Sequence, residues 1–224
     1  MSLASVVNDL VYIPTFWSAF YGFTFGFSFR ATGREHLPKT GPVLIVANHQ
    51  SVMDPVLVAC AARRRLTFLA RSTLFTNKFF GGLIRYYWAV PIDRGFGKEG
   101  LMTVLNELDQ GRAVLMFVEG ERTHDGELQQ LKPGISLLIK RVKCPIVPAA
   151  VAGAYDAWPR HQKLPAFDPL LTSCTGRSIS VAYRPPIDPQ RYKGMEREAM
   201  LEDLFQEIAL AKADAEKIRR KPGH

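Results

Sequence analysis

The stretch Gly41-Pro42-Val43-Leu44-Ile45-Val46-Ala47-Asn48-His49-Gln50-Ser51-Val52-Met53-Asp54-Pro55-Val56-Leu57-Val58-Ala59-Cys60-Ala61-Ala62 decides the fold class. Val43–Ala47 is a short, unbroken apolar run of the kind a strand buried on both faces requires. Pro55–Ala62 is small and aliphatic and begins on a proline, which suits the first turn of a helix. Between them lies a polar loop. The same alternation recurs along the chain. Leu66–Ala70, Ala89–Ile92, Ala113–Val118, Ile146–Val151 and Ile179–Tyr183 read as strands. Phe79–Tyr87, Gly97–Gln110, Ile135–Val142 and Met195–Lys217 read as helices. Strand–helix alternation predicts an α/β layered domain with a mostly parallel sheet. Ligands of such sheets gather beyond the carboxyl ends of the strands, so the residues just after each strand are the ones to examine.

Composition narrows the partners without choosing one. The chain has 224 residues, 47% hydrophobic and 22% charged, which suits one folded domain and excludes collagen, coiled coil and disorder. A net charge of +8 points to an anionic partner. Cys60, Cys144 and Cys174 form no CxxC pair, so a zinc ribbon or disulfide framework is not indicated, and a reducing compartment fits best. His36, His124, His161 and His224 show no metal-ligand spacing.

From Leu10 to Phe29 no residue is charged, yet Pro14, Gly22 and Gly26 interrupt the run and aromatics crowd it. Such rings favour a bilayer interface over its centre. Val6, Leu10, Ile13, Trp17 and Phe20 follow helical spacing, whereas Phe23, Phe25, Phe27 and Phe29 alternate as in a strand. The expectation is a membrane-associating helix over residues 1–24, then a first strand opening a domain over 25–224. A terminal helix packed on the core is the competing reading. No basic stretch precedes the apolar run and no small-x-small site follows it, so a signal peptide is not expected.

His49 and Asp54 follow the strand Val43–Ala47 within one loop. Their carboxylate and imidazole can pair, fixing the tautomer and stabilising the imidazolium. Asp54 before Pro55 also reads as an ordinary helix N-cap, and both roles can coexist. At this point the sequence resembles the glycerolipid acyltransferases, the PlsC-like lysophosphatidic acid acyltransferase family. Asn48-His49 through Asp54 matches the family's NHxxxxD motif. Val90-Pro91-Ile92-Asp93-Arg94, Phe117-Val118-Glu119-Gly120-Glu121-Arg122 and Pro145-Ile146-Val147-Pro148 resemble its second, third and fourth motifs, in order.

The resemblance implies a glycerolipid acyltransferase-like layered domain whose acceptor hydroxyl is the nucleophile, consistent with the lack of a G-x-S-x-G elbow. His49 with Asp54 would be the general base. Asn48, Arg71, Arg94, Glu119, Gly120 and Arg122 would form the substrate site: the arginines would grip the acceptor's phosphate, Glu119 would support its glycerol hydroxyl or the surrounding loop, and backbone N–H groups near Gly120 or at the start of a helix would hold an oxyanion. Lys132 could add positive charge. No cofactor is implied, because acyl-CoA or acyl-carrier protein is a substrate. The implied partners are a lysophospholipid, most simply lysophosphatidic acid, and the cytoplasmic face of a membrane, where the protein would be peripheral or monotopic; nucleic acid is not expected. A different lysolipid headgroup, lipid remodelling, or a non-catalytic membrane-surface lipid-binding protein are the alternatives. Two residues depart from the family pattern: Val118 stands where proline is usual, and Glu121 where threonine or serine is usual. Gly95-Phe96-Gly97-Lys98-Glu99-Gly100 matches a dinucleotide-binding fingerprint, but Asp93-Arg94 separate it from the preceding strand.

Overall fold

The computed structural model describes residues 3–92 and 97–222. Among them, seven strands form one sheet in the order β1 (Arg30–Thr32), β7 (Ser180–Tyr183), β6 (Ile146–Ala152), β2 (Val43–Ala47), β5 (Ala113–Phe117), β3 (Thr67–Arg71), β4 (Ala89–Ile92). Only β6 and β7 run antiparallel; the other neighbours are parallel. The mostly parallel α/β sheet expected from the alternation is present, and each of the six strands read between Val43 and Tyr183 falls within one residue of its observed bounds.

Successive residues of each central strand serve opposite faces of the sheet, as the pleat requires. Val43, Ile45 and Ala47 of β2 face a core shared with α2 (Asp54–Ala62) and the inner side of α1 (Leu3–Phe27). Leu44 and Val46 face the other core, closed by α4 (Lys98–Asp109), α5 (Ile135–Ile139) and α7 (Arg197–Ile218). The remaining helices are α3 (Lys78–Tyr86) and the short α6 (Ala154–Ala157). Gly33 marks a close approach: its φ is +73° and a Cβ there would stand 1.9 Å from the Tyr183 carbonyl oxygen, so only glycine fits.

The N-terminus corrects one expectation. Phe23, Phe25 and Phe27 are not in a strand; α1 continues through Pro14, Gly22 and Gly26 to Phe27, and the first strand starts at Arg30. Alternating aromatics also satisfy i, i+4 spacing, and here that spacing prevails. Phe16, Ala19, Phe20, Phe23 and Phe27 pack inward on one helix face. Ser28 then takes φ +48° and ends the helix. The boundary drawn at residue 24 therefore lies inside one continuous helix. Among the described residues, no helix is long and apolar enough to cross a membrane.

Candidate active site

Sheet register assembles the site. Ala47, the last residue of β2, pairs with Phe117 of β5 on one side and Ala149 of β6 on the other. The Asn48–Asp54 loop therefore emerges between the segments that follow β5 and the end of β6. Asn48 exploits this placement. Its amide donates to the Val151 carbonyl at 3.0 Å and accepts the Val151 N–H at 2.8 Å. The side chain thus supplies the pairing that β2 stops providing after Ala47. Asn48 is buried and spent on this clamp, so it holds the loop and does not face an acceptor as the motif suggested.

His49 is fixed on every side. Its N–H donates to Glu119 Oε1 at 3.1 Å, and its carbonyl accepts the Thr123 N–H at 2.8 Å. Its ring stacks on Phe117 with centroids 4.0 Å apart and planes 12° apart. Nδ1 lies 2.8 Å from Asp54 Oδ2. A carboxylate there accepts from Nδ1–H, which leaves the lone pair on Nε2. Nε2 has no partner among the described residues, and the side chain keeps 18% exposure. That is the arrangement a proton acceptor needs.

Asp54 is fully buried at the first turn of α2, where the helix dipole favours a carboxylate. It does not cap α2 itself, contrary to the N-cap reading. Its Oδ2 accepts the Gln50 and Ser51 N–H groups at 2.5 and 2.8 Å, folding the loop back onto the carboxylate. Glu119 is the second buried acid. Burial, seconded by the nearby Asp54 charge, pushes its pKa up to about 8. Its Oε2 has no hydrogen-bond partner. With 2% exposure, Glu119 supports the backbone of His49 and does not reach solvent.

Two of the expected basic residues, Arg71 and Arg122, lie at the end of β3 and beyond the end of β5. Arg71 is exposed at the end of β3. Arg122 is half-buried in the turn after β5, and its pKa is lowered by burial and by the charges of Arg160 and Arg71, partly offset by Asp54. Among the described residues, the side chain of neither Arg71 nor Arg122 forms a hydrogen bond or ion pair. Arg94 lies outside the described residues, as do Gly95 and Phe96 of the dinucleotide fingerprint. Gly120 adopts φ +77° against the Lys132 side chain, and its N–H donates to Phe117 O at 3.2 Å. That amide is occupied by its own turn and is not an oxyanion donor. Among the described residues, no group of His, Cys, Asp and Glu is placed to hold a metal ion.

Several supporting residues carried no signal in the sequence. Gln50 Oε1 accepts the Ala154 and Tyr155 N–H groups at 3.1 and 3.3 Å, and its amide donates to Gly126 O. Ser51 Oγ donates to Trp158 O at 2.8 Å. Thr123 and Phe117 hold His49 as described. Phe117 was visible as a motif residue, but stacking under the imidazole could only be seen once β5 was placed beside β2.

Comparison with known proteins places these features in context. A family model described as Acyltransferase matches residues 28–152. The chain is 34% identical to the 1-acyl-sn-glycerol-3-phosphate acyltransferase of Streptococcus pneumoniae over 113 residues, 49% of this chain and 41% of the relative. It is 30% identical to the protein of the same name from Bacillus subtilis over 122 residues, 54% of this chain and 60% of the relative. The chain thus spans about half the length of the curated relatives it matches. The crystal structure of the 1-acyl-sn-glycerophosphate acyltransferase PlsC from Thermotoga maritima shares the fold, with a TM-score of 0.75 and 21% identity over 99% of this chain and 86% of that one. The matched segment runs through both central strands of the sheet, the His49–Asp54 loop and the turn bearing Glu119 and Arg122, and covers more than half the sequence: the chain belongs to the Acyltransferase family.

Proposed function

We propose that this chain moves a fatty acyl group from a thioester, acyl-CoA or acyl-carrier protein, to the free hydroxyl of lysophosphatidic acid, giving phosphatidic acid. The observation that carries the reading is the His49–Asp54 pair, with Nδ1 engaged and Nε2 open, beside arginines that lack carboxylate partners among the described residues. The names of the relatives support the acceptor. In the reaction, His49 Nε2 takes the proton of the acceptor hydroxyl as its oxygen attacks the thioester carbonyl carbon. The C–S bond then breaks, and the imidazolium returns the proton to the departing thiolate. General-base assistance of this kind contributes about 10²–10⁴-fold. Asp54 stabilises the charged imidazole while the proton is held. With the Gly120 amide occupied, the Glu121 and Arg122 N–H groups, which have no acceptor among the described residues, are the neighbouring donors for the oxyanion.

The lipid acceptor is met at a membrane surface on this reading. Leu10, Ile13, Trp17, Tyr21 and Phe25 are exposed along the outer side of α1. The Arg65 guanidinium lies 4.0 Å from the Tyr12 ring centroid, a cation–aromatic pairing suited to the interface between lipid and water. The cytoplasmic face is the one on which Cys60, Cys144 and Cys174, all free thiols, stay reduced.

Purified protein supplied with an acyl thioester and lysophosphatidic acid should form phosphatidic acid. His49→Ala should lower kcat by about 10²–10⁴-fold, and Asp54→Asn should lower kcat while leaving KM for the acceptor little changed. Normal turnover by His49→Ala would refute the proposed base. Acyl exchange between two lipids without any thioester would replace this reading with lipid remodelling.

A further inference from the structure

The segment after β6 is tied to the catalytic loop at two points. Gln50 holds the first two amides of α6, and Ser51 holds the Trp158 carbonyl. A third tie runs to the turn after β5, where the Tyr155 hydroxyl donates to His124 O at 2.7 Å. Arg160, two residues past Trp158, hangs from this braced segment. Its Nη1 lies 2.9 Å from His124 Nε2 and 3.8 Å from Glu121 Oε2. Glu121 is itself 4.0 Å from His124 Nε2. Arg160 also lies close enough to Arg122 for its charge to weigh on that group, with Arg71 acting on Arg122 as well.

Three guanidinium groups from three separate segments therefore meet around Arg122, whose own charge is felt by Asp54, and Arg160 reaches them from the turn that carries Glu121 and His124. The carboxylate within ion-pair distance of Arg160 is Glu121, which is 48% exposed. A solvent-exposed pair of this kind contributes only about 0–1 kcal/mol. Like charges held together by rigid backbone, with so weak a counter-charge, are poised for an anionic ligand. Glu121 lies inside the matched segment and Arg160 beyond its end at residue 152.

We propose that Arg160 is a specificity-determining residue for the acceptor headgroup, parked on Glu121 and His124 in the free protein and transferred to the terminal oxygens of a phosphate monoester when that headgroup binds. A phosphate monoester offers three terminal oxygens and a charge of about −1.5 to −2 near neutral pH, enough to engage a third guanidinium fork and outcompete one exposed carboxylate. A phosphodiester has two free oxygens and a single charge, so it draws Arg160 from Glu121 less well. Glu121 thereby sharpens the choice, since a carboxylate left near the site repels any anion that does not capture Arg160.

This inference rests on the acyl-transfer reading of the same site, and the experiment separates the two. Initial rates are measured with lysophosphatidic acid and lysophosphatidylglycerol for the native protein, Arg160→Ala, Arg160→Lys and Glu121→Thr. In parallel, glycerol 3-phosphate is titrated against each by tryptophan fluorescence, Trp158 being the neighbouring reporter. Arg160→Ala should raise KM for lysophosphatidic acid at least tenfold with kcat changed less than threefold, and should cut the preference for monoester over diester at least fivefold. Arg160→Lys should recover part of the preference, as a point charge without the fork. Glu121→Thr should lower KM for lysophosphatidic acid, because Arg160 is then free. Glycerol 3-phosphate binding should weaken at least tenfold in Arg160→Ala. Equal losses for both acceptors, or unchanged glycerol 3-phosphate binding, would overturn the assignment. If the native protein acylates neither lysolipid, the acyl-transfer reading fails, while the glycerol 3-phosphate titration still decides the role of Arg160.

Discussion

Replacing Glu119 by glutamine should alter the pH dependence of stability in the direction opposite to that of an ion-paired carboxylate. Burial raises the Glu119 pKa from 4.5 to about 8 in the folded protein, whereas the unfolded chain titrates near the ordinary value. Below that ordinary value both states hold the proton and the neutral group suits its buried position. Between the two pKa values the folded state retains a proton that the unfolded state has released, so stability falls as pH rises. The slope is roughly 1.4 kcal/mol for each pH unit, which sets a ceiling of roughly 5 kcal/mol over the whole window. Glutamine keeps the shape and can still accept the His49 N–H, but it places an amide nitrogen where Oε2 has no partner. That costs about 1–3 kcal/mol at every pH. The two stability curves should therefore cross: the native protein is the more stable near pH 5 and the variant the more stable above about pH 8. Urea unfolding at a series of pH values, followed by far-ultraviolet circular dichroism, measures this directly. The difference between the two proteins cancels every other titrating group. A difference independent of pH would show that Glu119 is ionised in the fold and overturn the expected crossing.

Other perturbations test the scaffold around the site. Asn48→Ala should orphan the buried N–H and C=O of Val151, lowering stability by about 2–5 kcal/mol; a drop below about 0.5 kcal/mol in urea unfolding would mean that the clamp is replaced by water. Exchanging Trp17, Tyr21 and Phe25 for serine on the exposed side of α1 should reduce cosedimentation with anionic vesicles at least tenfold, while turnover of a lysolipid dispersed in detergent changes little. Equal vesicle binding would move the membrane contact away from this face.

The central strands were legible because burial on both faces forces a continuous apolar run, and Val43–Ala47, Ala113–Phe117 and Ile146–Ala152 have no polar residue to blur their ends. β1 was not legible as Arg30–Thr32: it is three residues long with two of them exposed, and its pairing with β7 is set by tertiary contacts. The His49–Asp54 pair could be read because its partners share one loop. The contacts that support it could not. Glu119 is 70 residues from His49, Val151 is 103 from Asn48, and Trp158 is 107 from Ser51. Strand order alone brings them together, and no local spacing encodes it. The same limit applies to Asn48: a motif marks a position without saying whether the side chain faces a substrate or a neighbouring strand.

The two readings of the N-terminal segment prove compatible, and their combination bears on how the site meets a lipid. α1 presents Phe16, Phe20, Phe23 and Phe27 to the core and Leu10, Ile13, Trp17, Tyr21 and Phe25 to the outside. It packs against α2, and Arg63 at the end of α2 lies 5.8 and 5.4 Å from the ring centroids of Trp17 and Phe20. α2 is the helix whose first residue is Asp54. A membrane contact made through the outer side of α1 would thus fix the depth of α2, and through it the height of the His49–Asp54 pair above the bilayer. Val52 and Val56, which flank Asp54, are exposed apolar residues on that same loop and helix start. A rigid link of this kind would let the proposed base sit at one distance from the headgroups, which a flexible tether would not do. A helix that anchors the protein would then also be a spacer, because one face of α1 packs in the same core as α2.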